Sequence, residues 1–147
     1  MVKKFIAVIG VAGAGKSTFI EKNYKGLPME EINDDSLRTS LLFHNSINFD
    51  TAVLHITAFE DVTADFLVEN ILDKKHELHL VFLKLKDNEM QMERLRKRAF
   101  ENKEASEFDV SPYAYSKNVF ERTGSSFLAF TEKYKYKIKS IKILNNF

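Results

Sequence analysis

Apolar and polar positions divide the chain into alternating stretches of two kinds. "KKFIAVIG" (Lys3–Gly10) is a nearly unbroken apolar run with β-branched residues. That is the pattern of a strand buried on both faces of a parallel sheet. Lys16–Tyr24 then reads as a helix with Phe19, Ile20 and Tyr24 on one side, stopped by Gly26–Pro28. "MEEIN" (Met29–Asn33) predicts a short second strand, and Asp34–Asp35–Ser36 offers N-cap groups for a helix to about Leu42. "AVLHITAF" (Ala52–Phe59) reads either as a third buried strand or as the start of a long helix; the β-formers Val53, Leu54, Ile56 and Thr57 favour the strand. A helix starts at Glu60–Asp61, with Val62, Phe66, Leu67, Ile71 and Leu72 as its apolar stripe.

"ELHLVFLKL" (Glu77–Leu85) is a fourth strand of the buried type, and Asp87 or Asn88 caps a helix carrying Met92, Leu95 and Ala99. "ENKEASEFDVSP" (Glu101–Pro112) is polar and reads as a loop. Ser111 and Pro112 suit N-cap and N1 of a helix through Phe120 to Arg122. "YKYKIKSIKIL" (Tyr134–Leu144) alternates Lys with Tyr, Ile and Leu, as an edge strand with one solvated face does. Strands alternating with helices predict a three-layer α/β/α sandwich around a mainly parallel sheet of about five strands. Ligands of such sheets sit at the carboxyl ends of the strands, where Asn33–Asp35, the end of the third strand and Asp87 would join the glycine loop.

Composition bounds the function. At 147 residues, 44% hydrophobic and with thirteen Phe, the chain has material for one core. We expect a single domain over residues 1–147 with a lid around residues 99–112. A formal net charge of +1 argues against a strongly basic nucleic-acid coat but allows a local basic groove. With no cysteine, disulfides, zinc–thiolate sites and a Cys nucleophile are excluded. No stretch reaches the roughly 18–20 apolar residues of a membrane span, so the expectation is a cytoplasmic protein with no membrane contact. The four His do not cluster with carboxylates at metal-ligand spacing, and structural or surface roles are expected for each.

The chemistry centres on "GVAGAGKSTF" (Gly10–Phe19), which carries Gly-x-x-x-x-Gly-Lys-Ser between a strand and a helix. Gly13 and Gly15 let the backbone curl so that N–H groups over Gly13, Ala14, Gly15, Lys16, Ser17 and Thr18 face phosphate oxygens. Lys16 reaches the terminal phosphates and Ser17 ligates Mg²⁺. In "INDDSLR" (Ile32–Arg38), Asp35 is placed to accept a proton from an attacking hydroxyl, and Arg38, three residues on, shares its helical face. The plainer alternative is a helix cap paired with Arg38. In "ERLRKR" (Glu93–Arg98), Arg94 and Arg98 lie four apart on one face. They serve either to stabilise a transferring phosphoryl group or simply to complement a helix C-terminus.

"GVAGAGKSTF" followed by "INDDSLR" resembles the polynucleotide 5′-hydroxyl kinase family, with zeta-toxin and gluconate-kinase-like P-loop kinases as more distant relatives. Asn33, Asp35 and Arg38 match its Asn-x-Asp-x-x-Arg pattern. The match is clear over about the first forty residues; beyond them it is mainly the order of elements. The resemblance implies that Asp35 activates the acceptor hydroxyl and that Arg38 holds the neighbouring nucleic-acid phosphate. It also implies lid arginines, Arg94 packing on the base and Arg98 clamping phosphates. ATP or GTP would be the donor, with Mg²⁺. One departure is plain. The third strand of many such kinases ends in an Asp that supports Mg²⁺, whereas here Thr57 stands near that point and no Asp follows until Asp61. Either Asp61 substitutes, or Ser17, Asp35 and water suffice.

The leading expectation is therefore an ATP-dependent kinase acting on a hydroxyl of a nucleic acid or nucleotide, foremost a polynucleotide 5′-hydroxyl, with no phosphatase domain attached and no protein partner implied. The alternatives are a small-molecule kinase for a nucleoside, nucleoside monophosphate or sugar, a nucleotide-binding module without turnover, and a nucleotide-dependent switch.

Overall fold

The computed structural model describes residues 2–32, 41–43, 48–101 and 117–145. Five strands form one parallel sheet: β1 (Lys4–Gly10), β2 (Met29–Ile32), β3 (Thr51–Thr57), β4 (Glu77–Lys84) and β5 (Ser140–Asn145). Their order is β2-β3-β1-β4-β5, so β1 is central and is paired along its length with β3 and β4. The apolar runs become strands because each buries both faces. Every position of β1 from Phe5 to Gly10 is buried, as is β3 from Ala52 to Ile56.

Helix α1 (Lys16–Asn23) and helix α3 (Asn88–Glu101) pack on one face against Ile6, Val8, Val53, Val81 and Leu83. The other face is covered by α2 (Asp61–Leu67), which runs on as a π-helical turn over Val68–Leu72, and by α4 (Lys117–Tyr134). The result is the expected three-layer α/β/α sandwich. Phenylalanine does fill the interior: Phe82 stacks on Phe127 with centroids 4.5 Å apart, and Phe127 meets Phe59 edge-on at 6.1 Å.

Three local expectations are corrected. The apolar stripe of α2 omits Val62, which is 47% exposed, and runs Phe66–Leu67 to Ile71–Leu72. Those pairs are five apart, a spacing that an α-helix rotates off the core and a π-turn restores. The helix expected to stop by Arg122 continues to Tyr134, because Val119, Thr123, Phe127 and Phe130 form one buried stripe. Gly124 within it faces open space, so it costs propensity but no packing. Consequently Tyr134–Lys139 is helix end and turn, and β5 covers only the second half of the Lys/Ile alternation. It is the sheet edge, as expected, but both its faces are open: Ile141, Ile143 and Leu144 are 39%, 48% and 38% exposed. The expected helix from Asp34 lies largely outside the described residues, and Leu41–Phe43 is a single 3-10 turn. No helix among the described residues is long and apolar enough to cross a membrane.

Candidate phosphate-binding site

The loop after β1 leaves the carboxyl edge of the sheet at its centre. Gly13 and Gly15 adopt φ of 86° and 90°, a left-handed conformation that L side chains rarely take. Gly15 is the N-cap of α1, and no side chain caps that end. The first turn of α1 therefore presents its backbone N–H groups and the positive end of its dipole. Ala14 is buried and its N–H closes a turn on the Val11 carbonyl at 3.0 Å. Ser17 and Thr18 are exposed in the first turn of the helix.

Lys16 is only 5% exposed, and its Nζ donates to the Val11 carbonyl at 2.8 Å. Its pKa is pushed down to about 7, chiefly by burial, further by the positive charge of Arg98, and against the opposing pull of Glu31. A buried ammonium beside a guanidinium is the reverse of a stable ion pair; an anion placed there would reverse the shift.

Helix α3 closes the loop from the other side. Asp87 Oδ1 accepts from the Met90 N–H at 2.8 Å and caps it. Gln91, fully buried, donates from Nε2 to the Ala12 carbonyl at 2.9 Å, while its Oε1 accepts from Asn88 Nδ2 at 2.8 Å. Arg94 Nη1 stands 3.5 Å from the Gly13 carbonyl. A Cβ on Gly13 would lie 3.4 Å from Leu95 Cγ, so that side chain packs directly on the glycine. The face carrying Arg94 thus turns toward the loop together with Gln91 and Leu95. The expected stripe of Met92, Leu95 and Ala99 had Met92 in the place that Gln91 holds.

On the far side of Lys16 two further residues meet. Glu31 and His55 are directly opposite in the β2–β3 register, with Glu31 Oε1 3.5 Å from His55 Nδ1. His55 is almost buried, and its pKa is lowered by burial and then by the Lys16 charge, with Glu31 opposing. The sequence marks neither residue as a neighbour of Lys16, although Glu31 lies at the carboxyl end of a strand. Gln91 has no sequence signal at all.

Of the other predicted site residues, Arg98 acts on Lys16 through its charge. Thr57 pairs in register with Gly10, and Ala58 after it takes φ of 65°. Asp61 is exposed at the start of α2. Asn33, Asp35, Arg38 and the loop over residues 102–112 lie outside the described residues. Among the described residues no cluster of three His, Cys, Asp or Glu could hold a metal ion.

No family model matches the chain, and no curated protein matches it. Solved structures do. A sugar kinase from Janibacter sp. HTCC2649 superposes with a TM-score of 0.51 at 16% identity, covering 97% of this chain and 85% of that one. A protein named APE1195 matches at TM-score 0.44 and 10% identity, over 89% of this chain and 96% of that one. With its parallel sheet, glycine loop and helix N-terminus, the chain has the three-layer fold of the P-loop kinases.

Proposed function

We propose that the protein is a nucleoside-triphosphate-dependent kinase that transfers a phosphoryl group to a hydroxyl. The observation that carries this reading is Lys16: a buried ammonium at a helix N-terminus, beside a second cation, with its pKa pushed down to about 7. Such a group is stabilised by a polyphosphate, and the loop has the backbone form to hold one.

In this reading the N–H groups of Gly13 and of Gly15–Thr18 cradle the donor phosphates. Lys16 and Arg98 oppose charge on the transferring group and leaving oxygen. Arg94 flanks the nucleotide. Ser17 is the protein ligand suited to Mg²⁺, with phosphate oxygens and water supplying the rest of its oxygen shell, and that ion would neutralise phosphate charge. Asp35 takes the acceptor's proton as the acceptor oxygen bonds to phosphorus and the bridging P–O bond of the donor breaks. The roles of Asp35 and Arg38 rest on the resemblance of "INDDSLR" to the polynucleotide 5′-hydroxyl kinases, which also makes a nucleic-acid or nucleotide 5′-hydroxyl the leading acceptor. The sugar kinase among the structural neighbours favours a second acceptor class, a small polyhydroxylated molecule, on the same donor site.

The test is a screen of labelled γ-phosphate transfer to 5′-hydroxyl oligonucleotides, nucleosides, nucleoside monophosphates and sugars. Transfer to an oligonucleotide, lost in Lys16→Ala and sharply reduced in Asp35→Asn, is the expected result. Transfer to sugars alone would move the acceptor to the second class. Nucleotide binding with no transfer to any acceptor would leave a non-catalytic module and overturn the kinase reading.

A further inference from the structure

The geometry points to Gln91 as a positioning residue for the phosphate loop: helix α3 sets the direction of the loop's peptide groups, and so its anion affinity, through one buried amide. The inference rests on the reading of the loop as a polyphosphate cradle.

A loop of this kind binds anions only if its N–H groups face inward. In a planar trans peptide the carbonyl and the following N–H point in opposite directions. Holding a carbonyl outward therefore aims the next N–H inward. Three successive carbonyls of the loop have donors on the protein side: Val11 from Lys16 Nζ and the Ala14 N–H, Ala12 from Gln91 Nε2, and Gly13, at a long 3.5 Å, from Arg94 Nη1. Only the Ala12 contact is both short and made by a neutral side chain that is fully buried. It fixes the peptide between Ala12 and Gly13, whose N–H belongs to the first glycine of the cradle. Gly13, at φ of 86° and packed under Leu95, has no side chain of its own to hold its peptide plane.

The amide of Gln91 is itself oriented. Asn88 Nδ2 donates to Oε1, which leaves Nε2 as the end that faces Ala12. Asn88 lies in the first turn of α3, which Asp87 caps. The chain of contacts runs from the capped start of α3, through Asn88 and Gln91, to the loop backbone. Burying an amide costs free energy unless both its ends are bonded, and both ends of Gln91 are bonded here. A purely apolar contact at this position would have satisfied packing without the polar cost.

The experiment measures binding of inorganic tripolyphosphate by calorimetry to the native protein, Gln91→Met and Asn88→Ala, beside the urea stability of each. Tripolyphosphate isolates the loop from base and acceptor contacts. Gln91→Met keeps length and volume but cannot donate. Expected is a loss of affinity of about tenfold or more in Gln91→Met, and a smaller loss in Asn88→Ala, in protein shown to be folded. The amide resonance of Gly13 should shift in both variants before ligand is added, a change that a role in stability alone would not produce. Native binding with affinity unchanged within about twofold in folded Gln91→Met would overturn the inference while leaving the loop reading intact. Should Gln91→Met not fold, unchanged affinity and an unshifted Gly13 amide in Asn88→Ala would overturn it equally. Failure of the native protein to bind tripolyphosphate would overturn the loop reading and this inference together.

Discussion

Replacing Lys16 with Met should stabilise the ligand-free protein at low pH and lose that advantage at high pH. Lys16 titrates at about 7 in the fold against 10.5 when unperturbed, because burial and Arg98 disfavour its charge. The unfolded chain therefore binds more protons than the folded one across that window, and stability rises with pH through it. Below the folded value both states are protonated and the whole penalty is felt. At about 1.4 kcal/mol per unit, and allowing for partial titration at each end, native Lys16 makes the fold about 4 kcal/mol more stable at pH 10 than at pH 6.

Lys16→Met lacks this dependence. It also loses the hydrogen bond to Val11, worth about 1 kcal/mol, but at both pH values alike, so that loss cancels in the comparison. Urea unfolding of both proteins at pH 6 and pH 10, in buffers free of phosphate and nucleotide, gives the double difference. The other titrating groups are common to the two proteins, and those beyond the reach of the Lys16 charge drop out; His55, whose pKa that charge lowers by less than burial does, adds a smaller difference in the same direction at pH 6. A double difference on the order of 4 kcal/mol is expected, with the variant relatively better at pH 6. A value within about 1 kcal/mol of zero would refute the claim that Lys16 is desolvated in the fold.

Three further outcomes follow from local geometry. Lys75 occupies the left-handed position of a helix-ending motif, at φ of 63°, with His76 N–H bonded to Ile71 and Lys75 N–H to Leu72; Lys75→Gly should add about 1 kcal/mol of stability, read as a rise of a few degrees in thermal midpoint. The buried hydroxyl of Thr123 accepts from the Phe59 N–H at 3.2 Å; Thr123→Val should cost about 1–3 kcal/mol in urea unfolding, and Thr123→Ser should restore most of it. A Cβ on Gly10 would meet Ala14 Cβ at 3.0 Å and the Leu83 carbonyl at 3.2 Å; Gly10→Ala should lower stability by about 1–3 kcal/mol, checked by the same unfolding midpoint.

How far the fold can be read from sequence depends on where each signal is stored. The apolar runs of β1 and β4 declare themselves because a strand buried on two faces has few polar positions to blur it, whereas His55 and Thr57 leave β3 readable as strand or helix until its pairing with β1 is seen. The glycine loop declares itself because Gly13 and Gly15 meet a backbone requirement that only glycine meets freely. Helix α4 hides behind Thr123–Ser126, whose weak helix formers are outvoted by the stripe from Val119 to Phe130. Gln91 is silent because its partner is a backbone carbonyl, which leaves no mark on the partner's residue type. Glu31 and His55 meet only through the parallel register of β2 and β3, a long-range pairing that no local window contains.

The glycine loop springs from β1, the one strand of the described five with two neighbours that are themselves flanked on both sides. Opening it requires parting the sheet down its middle, whereas β2 and β5 can fray singly at the margins. Hydrogen-exchange protection should accordingly be deepest at the root of the loop and fall away toward both edges. On the proposed function, the loop that would grip the donor is thus rooted where the sheet should open most slowly, and the margins could loosen without disturbing it.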